Sequence, residues 1–162
     1  MQKTLPRKIR RAEPADLPKL SRLYAQTVQA HGPGKYSIAQ IEAWSNAALK
    51  EQEFASFILD AETWISEDEL GPTGFAGLKM NGHISSLYVR EDCVRQGIGN
   101  ALLNHLLQRA KAHGISKVHT EASQFSKALF AKNSFVVVEE ETIDYDGVDF
   151  LRWKMERSVD LA

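Results

Sequence analysis

Apolar residues recur along this chain with two different periods, and the period changes near residue 60. Residues 7–12, RKIRRA, read as a short first strand. Glu13-Pro14-Ala15-Asp16 then opens a helix, because acidic residues and proline suit a first turn. Leu17, Leu20, Leu23, Tyr24, Thr27 and Val28 follow at helical spacing until His31-Gly32-Pro33-Gly34 breaks the pattern. Ser37 is placed to cap a second helix carrying Ile38, Ile41 and Trp44. Residues 47–59 hold no clean period, and a short helix ending near Phe57 is the expectation there. Beyond them the pattern alternates: residues 62–67, 74–80 and 84–89 read as strands, with Asn81-Gly82 the strongest hairpin signal. Residues 97–113 form the plainest helix, with Ala101, Leu102, Leu103, Leu106, Leu107 and Ala110 in one stripe and Gly114 as its stop. A strand at 118–122, a short helix at 126–132, and strands at 135–139 and 150–155 complete the chain, with Asp146-Gly147 as the last turn. This order predicts a mixed α/β fold: a mostly antiparallel sheet of about six or seven strands, helices on both faces, one domain over residues 1–162.

Composition narrows the class. With 162 residues, 43% apolar and 25% charged, the chain has the balance of an ordinary soluble domain. A net charge of −1 supplies no basic field for nucleic acid. No apolar run approaches the roughly 20 residues that cross a bilayer. The N-terminal MQKTLPRKIRRAE is basic without an apolar stretch behind it, unlike a secretory signal. Cys93 is the one cysteine, so an internal disulfide is impossible and a reducing, cytoplasmic setting is expected.

The chemistry concentrates in CVRQGIGNALL, residues 93–103. Here a strand feeds a leucine-rich helix through two glycines. A helix start carries unpaired N–H groups and partial positive charge, and glycines let another molecule approach that backbone. The N–H groups of residues 95–100 can cradle a pyrophosphate, with Arg90 and Arg95 near enough to add charge. No Lys-Ser/Thr follows, so this is not a Walker loop, and the third glycine of a dinucleotide fingerprint is missing. Two glycines easing a strand-to-helix turn are the alternative.

LYVREDCVRQGIGNALL resembles the acetyl-CoA loop of GCN5-related N-acetyltransferases (GNAT), whose pattern is Gln/Arg-x-x-Gly-x-Gly/Ala. TEASQFSKALFAKNSF, residues 120–135, is similar to that family's later strand and its helix ending in Phe-Tyr-x-x-x-Gly-Phe. KYSIAQIEAW, residues 35–44, resembles a Tyr-Ser-x-x-Gln-Ile-x-x-Trp segment of small bacterial members. The likeness spans nearly the whole chain and implies the GNAT fold, acetyl-CoA as the cofactor, and coenzyme A contacts from Leu87, Tyr88, Val89, Val94, Arg95, Gln96, Gly97, Ile98, Gly99 and Asn100. It also implies contacts from Ser123, where many members use Asn to hold the pantetheine arm, and from Phe130 and Lys132. Lys127 and Lys132 either reach phosphates or are solvated helix lysines. Three positions depart from the pattern: Val94 replaces Gln or Arg, Ser134 replaces the glycine before Phe135, and Phe130 replaces a tyrosine that often acts as general acid.

The implied reaction is attack of an amine on a thioester, in a ternary complex, with a primary amine of a small molecule or peptide as acceptor. An alkyl amine has a pKa near 10, so a base is needed at neutral pH. His83 is the first candidate, at the head of strand 84–89; alternation sets His83, Ser85, Leu87 and Val89 on one face. Its other reading is a surface histidine after the Asn-Gly turn. Glu121 is the second, sharing a strand face with His119 and Ser123, and is otherwise a salt-bridge partner. In this fold, that strand separates from residues 83–89 at the active site. A strand N–H near residues 87–89 is the expected oxyanion donor. A thiolate leaving group, with a pKa near 8.5 if it resembles cysteine, needs little acid help, so Phe130 is survivable; Tyr88 and Tyr145 are substitutes. Tyr36 and Trp44 either line the acceptor pocket or pack helices. No His, Cys and carboxylate spacing forms a metal set. The alternative function is a non-catalytic acyl-CoA-binding sensor. The family's habit of pairing edge strands near the C-terminus adds a homodimer to the expected partners.

Overall fold

The computed structural model describes residues 7–162; the first six residues of the basic N-terminal segment lie outside it. β1 (Lys8–Arg11) is followed by a 3-10 turn at Pro14–Asp16 and then by α1 (Leu17–His31). Glu13 and Asp16 cap that turn reciprocally, with Pro14 at its start, so the acidic opening acts one turn ahead of the helix proper. α2 (Ile38–Asn46) begins at Ser37, whose side chain accepts from the Gln40 N–H while Gln40 reaches back. The aperiodic stretch is a 3-10 turn, Ala47–Leu49, followed by α3 (Glu51–Leu59). β2 (Glu62–Asp68), β3 (Gly71–Leu78), β4 (Ile84–Val89), α4 (Ile98–Ala112), β5 (Lys117–Ala122), α5 (Lys127–Lys132), β6 (Val136–Tyr145) and β7 (Val148–Ser158) complete the order.

The strands form two antiparallel sheets, ordered β1-β2-β3-β4 and β5-β7-β6. Ala76 and Leu78 of β3, with Leu87 and Val89 of β4, pack under Leu102, Leu103 and Leu106 of α4. The opposite face carries Ile65 and Phe75 against Leu20, Leu23 and Tyr24 of α1 and Phe54 and Ile58 of α3. Helices therefore cover both faces of the first sheet, as expected.

One joint connects the sheets. His83 and His119 form an isolated parallel bridge, the His119 N–H donates to Gly82 O (3.0 Å), and the Thr120 hydroxyl donates to Ile84 O (2.9 Å). The β3–β4 turn is a three-residue loop: Lys79 pairs with His83, and Gly82 supplies the left-handed residue at φ 91°. A Cβ on Gly82 would lie 2.3 Å from Lys117 O, so only glycine lets the turn meet β5. Just past the joint the β3–β4 register shifts, Gly77 pairing with Ser86 and Leu78 with Ile84. Ser85 is thus a bulge residue, and the expected alternation from His83 to Val89 does not hold across it.

Two further expectations are corrected. β6 and β7 run to the Asp146-Gly147 turn on both sides, longer than 135–139 and 150–155; both turn residues have positive φ, as a tight hairpin requires. Phe130, expected at the cofactor, is 2% exposed and packs edge-on against Phe135. Its position follows from the end of α5, where the Phe135 N–H bonds Phe130 O and the Ser134 N–H bonds Ala131 O. That is a Schellman ending, with Phe130 and Phe135 as its apolar clasp.

Ser134 completes this ending at φ 68°, where glycine is relaxed and a Cβ is strained. Ser134→Gly is expected to raise stability by about 0.5–1 kcal/mol, read from urea midpoints. Glu62 ties β2 to α4 by accepting from Arg109 and lying 2.6 Å from His113 Nε2. Burial alone would push this carboxyl up, but the hydrogen bonds from Arg109, His113 and Trp64 outweigh it and hold Glu62 down at about 2. A depressed carboxyl stabilises above its unfolded pKa, and the benefit fades as pH falls through the folded one. The carboxyl is 9% exposed, so between about pH 5 and 2 the wild type should lose about 2–3 kcal/mol more than Glu62→Gln, measured by denaturation at each pH.

Candidate active site

β4 ends at Val89, and one 3-10 turn, Glu91–Cys93, separates it from α4. Arg95 (φ 63°) and Gly97 (φ 79°) are both left-handed, which turns neighbouring N–H groups into a concave nest. Gly97 is the N-cap, and no side chain caps the helix. The Ala101 N–H bonds Gly97 O (3.0 Å), so the Ile98, Gly99 and Asn100 amides precede the first helical bond. The two glycines serve different ends. A Cβ on Gly97 would meet nothing within 4 Å, so the backbone angle is its cause; one on Gly99 would stand 3.0 Å from Leu129 Cδ2, so smallness is. Ile98 anchors the helix in the core, while Val94, Arg95, Gln96 and Gly97 are exposed around the nest. This open, positively polarised backbone fits the diphosphate of coenzyme A.

Other residues near the loop are engaged elsewhere. Arg90 donates to Asp92 Oδ1 (2.6 Å) and Pro72 O (3.1 Å), so it is not the free cation the sequence suggested. Gln96 Oε1 accepts from Arg7, and Asn100 Oδ1 accepts from Asn133 (2.9 Å). Lys127 lies 4.1 Å over the Trp153 ring, whereas Lys132 is exposed. Cys93 is buried, and burial together with Asp92 pushes its thiol up.

Beyond the joint, β4 and β5 part. The Arg90 N–H donates to Thr73 O across β3 (2.8 Å). Strand alternation therefore aims the N–H groups of Leu87 and Val89 at the opposite edge, into the split. Val89 O, on the same edge, accepts from the Thr27 hydroxyl (2.9 Å). Tyr88 points its side chain to the α1 side, where Trp44 Nε1 donates to its hydroxyl (3.2 Å) and burial pushes that hydroxyl up to about 12.

A cavity of about 370 Å³ opens on this side. Tyr24, Tyr36, Trp44, Phe54 and Phe57 form one wall; Ile143, Tyr145, Phe150 and Leu151 of the β6–β7 hairpin form the other; Glu121 and Ser123 close it at the end of β5. Trp44 stacks on Phe125 (5.3 Å) and meets Tyr36 edge-on (5.2 Å). The Tyr36 hydroxyl accepts from the Gln124 N–H (2.9 Å), and Ser123 Oγ accepts from the Phe125 N–H (3.1 Å). Glu121 Oε2 lies 2.6 Å from His83 Nε2, while His83 stacks on His119 (5.1 Å). The His83 hydrogen bond holds the Glu121 carboxyl below its ordinary value, against the opposing effect of burial. The sequence ranked His83 ahead of Glu121; the structure puts Glu121 on the cavity wall and His83 behind it.

Tyr36, Trp44, Glu121 and Ser123 line one cavity, Ser123 among them although it was expected at the cofactor, and the loop residues assemble apart from them at the head of α4. Glu53, Phe54 and Phe57 were not singled out individually, and of the hairpin wall only Tyr145 was named, as an acid rather than as lining. The hairpin left a signal, since Glu141, Ile143 and Tyr145 pair with Arg152, Phe150 and Val148 across the Asp-Gly turn. Nothing local shows that this face folds over α2.

The split sheet thus joins an uncapped helix start to a carboxylate-bearing cavity. The model of the acetyltransferase (GNAT) domain matches residues 33–157. The chain belongs to the GNAT family. A GCN5-related N-acetyltransferase from Rhodopseudomonas palustris superposes with TM-score 0.91 at 28% identity, covering 98% of this chain and 99% of that one. The PaiA N-acetyltransferase of Thermoplasma acidophilum, in complex with coenzyme A, gives 0.76 at 22%, over 95% and 99%. The ribosomal-protein-S18-alanine N-acetyltransferase of Escherichia coli gives 0.72 at 19%, over 97% and 96%. No protein of curated function matches the sequence.

Gly97→Ala keeps the space but strains the nest. It is expected to cost about 1 kcal/mol of stability and to raise the coenzyme A Kd about tenfold, seen by melting and calorimetry. A destabilised variant with unchanged Kd would remove the nest from cofactor binding.

Proposed function

We propose that the protein moves an acetyl group from acetyl-CoA to a primary amine by direct attack in a ternary complex, with residues 1–162 acting as one acetyltransferase domain. The observation that carries this is the conjunction of an uncapped helix start with a strand split whose α1 side holds an ionised, paired carboxylate in an apolar cavity. The amides from Gln96 to Asn100 hold the diphosphate. Bound acetyl-CoA supplies the activated acyl carbon: the ammonium first gives one proton to Glu121, a C–N bond forms with the neutral amine, the C–S bond breaks, and a second nitrogen proton ends on the departing thiolate. The Leu87 and Val89 N–H groups are fixed donors on the edge where an acyl oxygen gains charge. Glu121 draws the ammonium in and receives its proton; His83 is a positioning residue that aims the carboxylate and keeps it ionised. Ser123 offers a hydroxyl to the pantetheine arm. A cytoplasmic setting suits the buried free Cys93, and the exposed Val136, Val137 and Val138 on the edge strand β6 suit a homodimer.

Glu121→Gln is expected to lower kcat about 10²-fold with coenzyme A affinity kept, monitored by thiol release. His83→Ala should lower it less and shift the acid limb of the pH–rate profile upward, because Glu121 loses the partner that depresses it. Full turnover in Glu121→Gln would rule out the assigned base. Stoichiometric coenzyme A binding without thiol release over a broad amine panel would leave a sensor instead.

A further inference from the structure

We infer that the acceptor is a small monoamine carried on an aromatic or apolar stem. This rests on the acetyl-transfer reading and narrows its second substrate. The cavity is at the small end of the range for small-molecule sites. Its lining is dominated by aromatic rings and by Ile143 and Leu151, so a stem that leaves water there gains affinity with each buried carbon. Ring faces also attract a cation.

Charge sets the other end. Three acidic or basic side chains line the cavity: Glu53, Glu121 and Arg152. The Arg152 Nε donates to Glu141 (2.5 Å), which draws this guanidinium toward its own hairpin partner, and its charge helps to hold Glu121 ionised. Glu53 sits at the rim with its side chain 74% exposed. Glu121 is therefore the inner charge, and it suits one ammonium. A second ammonium set deeper than the Glu53 rim would exchange water for ring faces without a carboxylate beside it, a weaker exchange than Glu121 offers the first, and a carboxylate next to the amine would approach Glu121; both carry desolvation or repulsion costs.

Closure argues against a polypeptide acceptor. Lys50 Nζ pairs with Asp146 Oδ2 (2.8 Å) at the hairpin tip and also reaches the Tyr145 hydroxyl (3.3 Å). The Gln40 side chain donates to Asp149 O (2.8 Å). The hairpin is thus tied at its turn to Lys50, ahead of α3, and beyond the turn to Gln40 of α2, and a chain extending from the amine would have to displace it.

The test has a kinetic and a binding arm. Thiol release with acetyl-CoA is followed for phenethylamine, hexylamine, ethylamine, spermidine, phenylalanine and an alanine-led peptide. The expected kcat/KM for phenethylamine exceeds that for ethylamine by about 10²-fold, from roughly 100 Å² of extra buried apolar surface. It should also exceed the values for spermidine, phenylalanine and the peptide. Phe150→Ala should reduce the phenethylamine preference about tenfold with coenzyme A affinity unchanged. Equal turnover of ethylamine, or preference for spermidine, phenylalanine or the peptide, overturns the inference and leaves acetyl transfer standing. Equilibrium binding of phenethylamine and ethylamine to the coenzyme A-loaded protein separates the other case. No thiol release from any amine, with phenethylamine still binding about 10²-fold tighter, removes the transfer reading but keeps the chamber's assignment; equal binding removes both.

Discussion

Two strands that meet at one point and then part set the terms for the rest of this structure. At the meeting point the backbone of Gly82 and Ile84 accepts from the His119 amide and the Thr120 hydroxyl. The absence of a Cβ on Gly82 lets Lys117 O approach. The bulge at Ser85 then redirects β4, and the paired ladder stops. A strand edge left open inside a protein carries unpaired amides, which is ordinarily a liability. Here those amides face the gap between β4 and β5.

The joint also explains how the cavity carboxylate is controlled. His83 belongs to the turn side of the joint and Glu121 to the strand leaving it, so their contact is fixed by the same backbone bonds that hold the sheets together. A carboxylate half-hidden among rings would ordinarily drift toward its neutral form; the imidazole contact reverses that direction. The helix start and the cavity thus use separate electrostatics. One is a field of backbone amides that does not titrate, the other a paired side chain that does.

Much of the fold was legible because its elements are locally consistent. Ser37 and Gln40 cap α2, the leucine stripe specifies α4, and Asp146-Gly147 specifies the last hairpin. Misreadings arose where one local rule hid another. Alternation through residues 83–89 looked unbroken, yet a bulge leaves no mark in a run of small polar residues such as Ser85-Ser86. Phe130 occupied a motif position linked to chemistry, but the Schellman ending of α5, with Ser134 strained in the glycine's place, turns its ring inward.

The amino-acid order determined by itself what backbone geometry and short-range bonding decide: most of the elements and the free amides of the α4 start. Those features depend on φ, ψ and neighbours within a few positions. Tertiary structure alone decided which groups share the cavity, because Trp44, Phe57, Glu121 and Phe150 come from four separate elements. It also put Glu121 rather than His83 on the cavity wall, since which of two paired groups faces a cavity depends on how two sheets diverge. Sequence spacing carries no measure of that divergence.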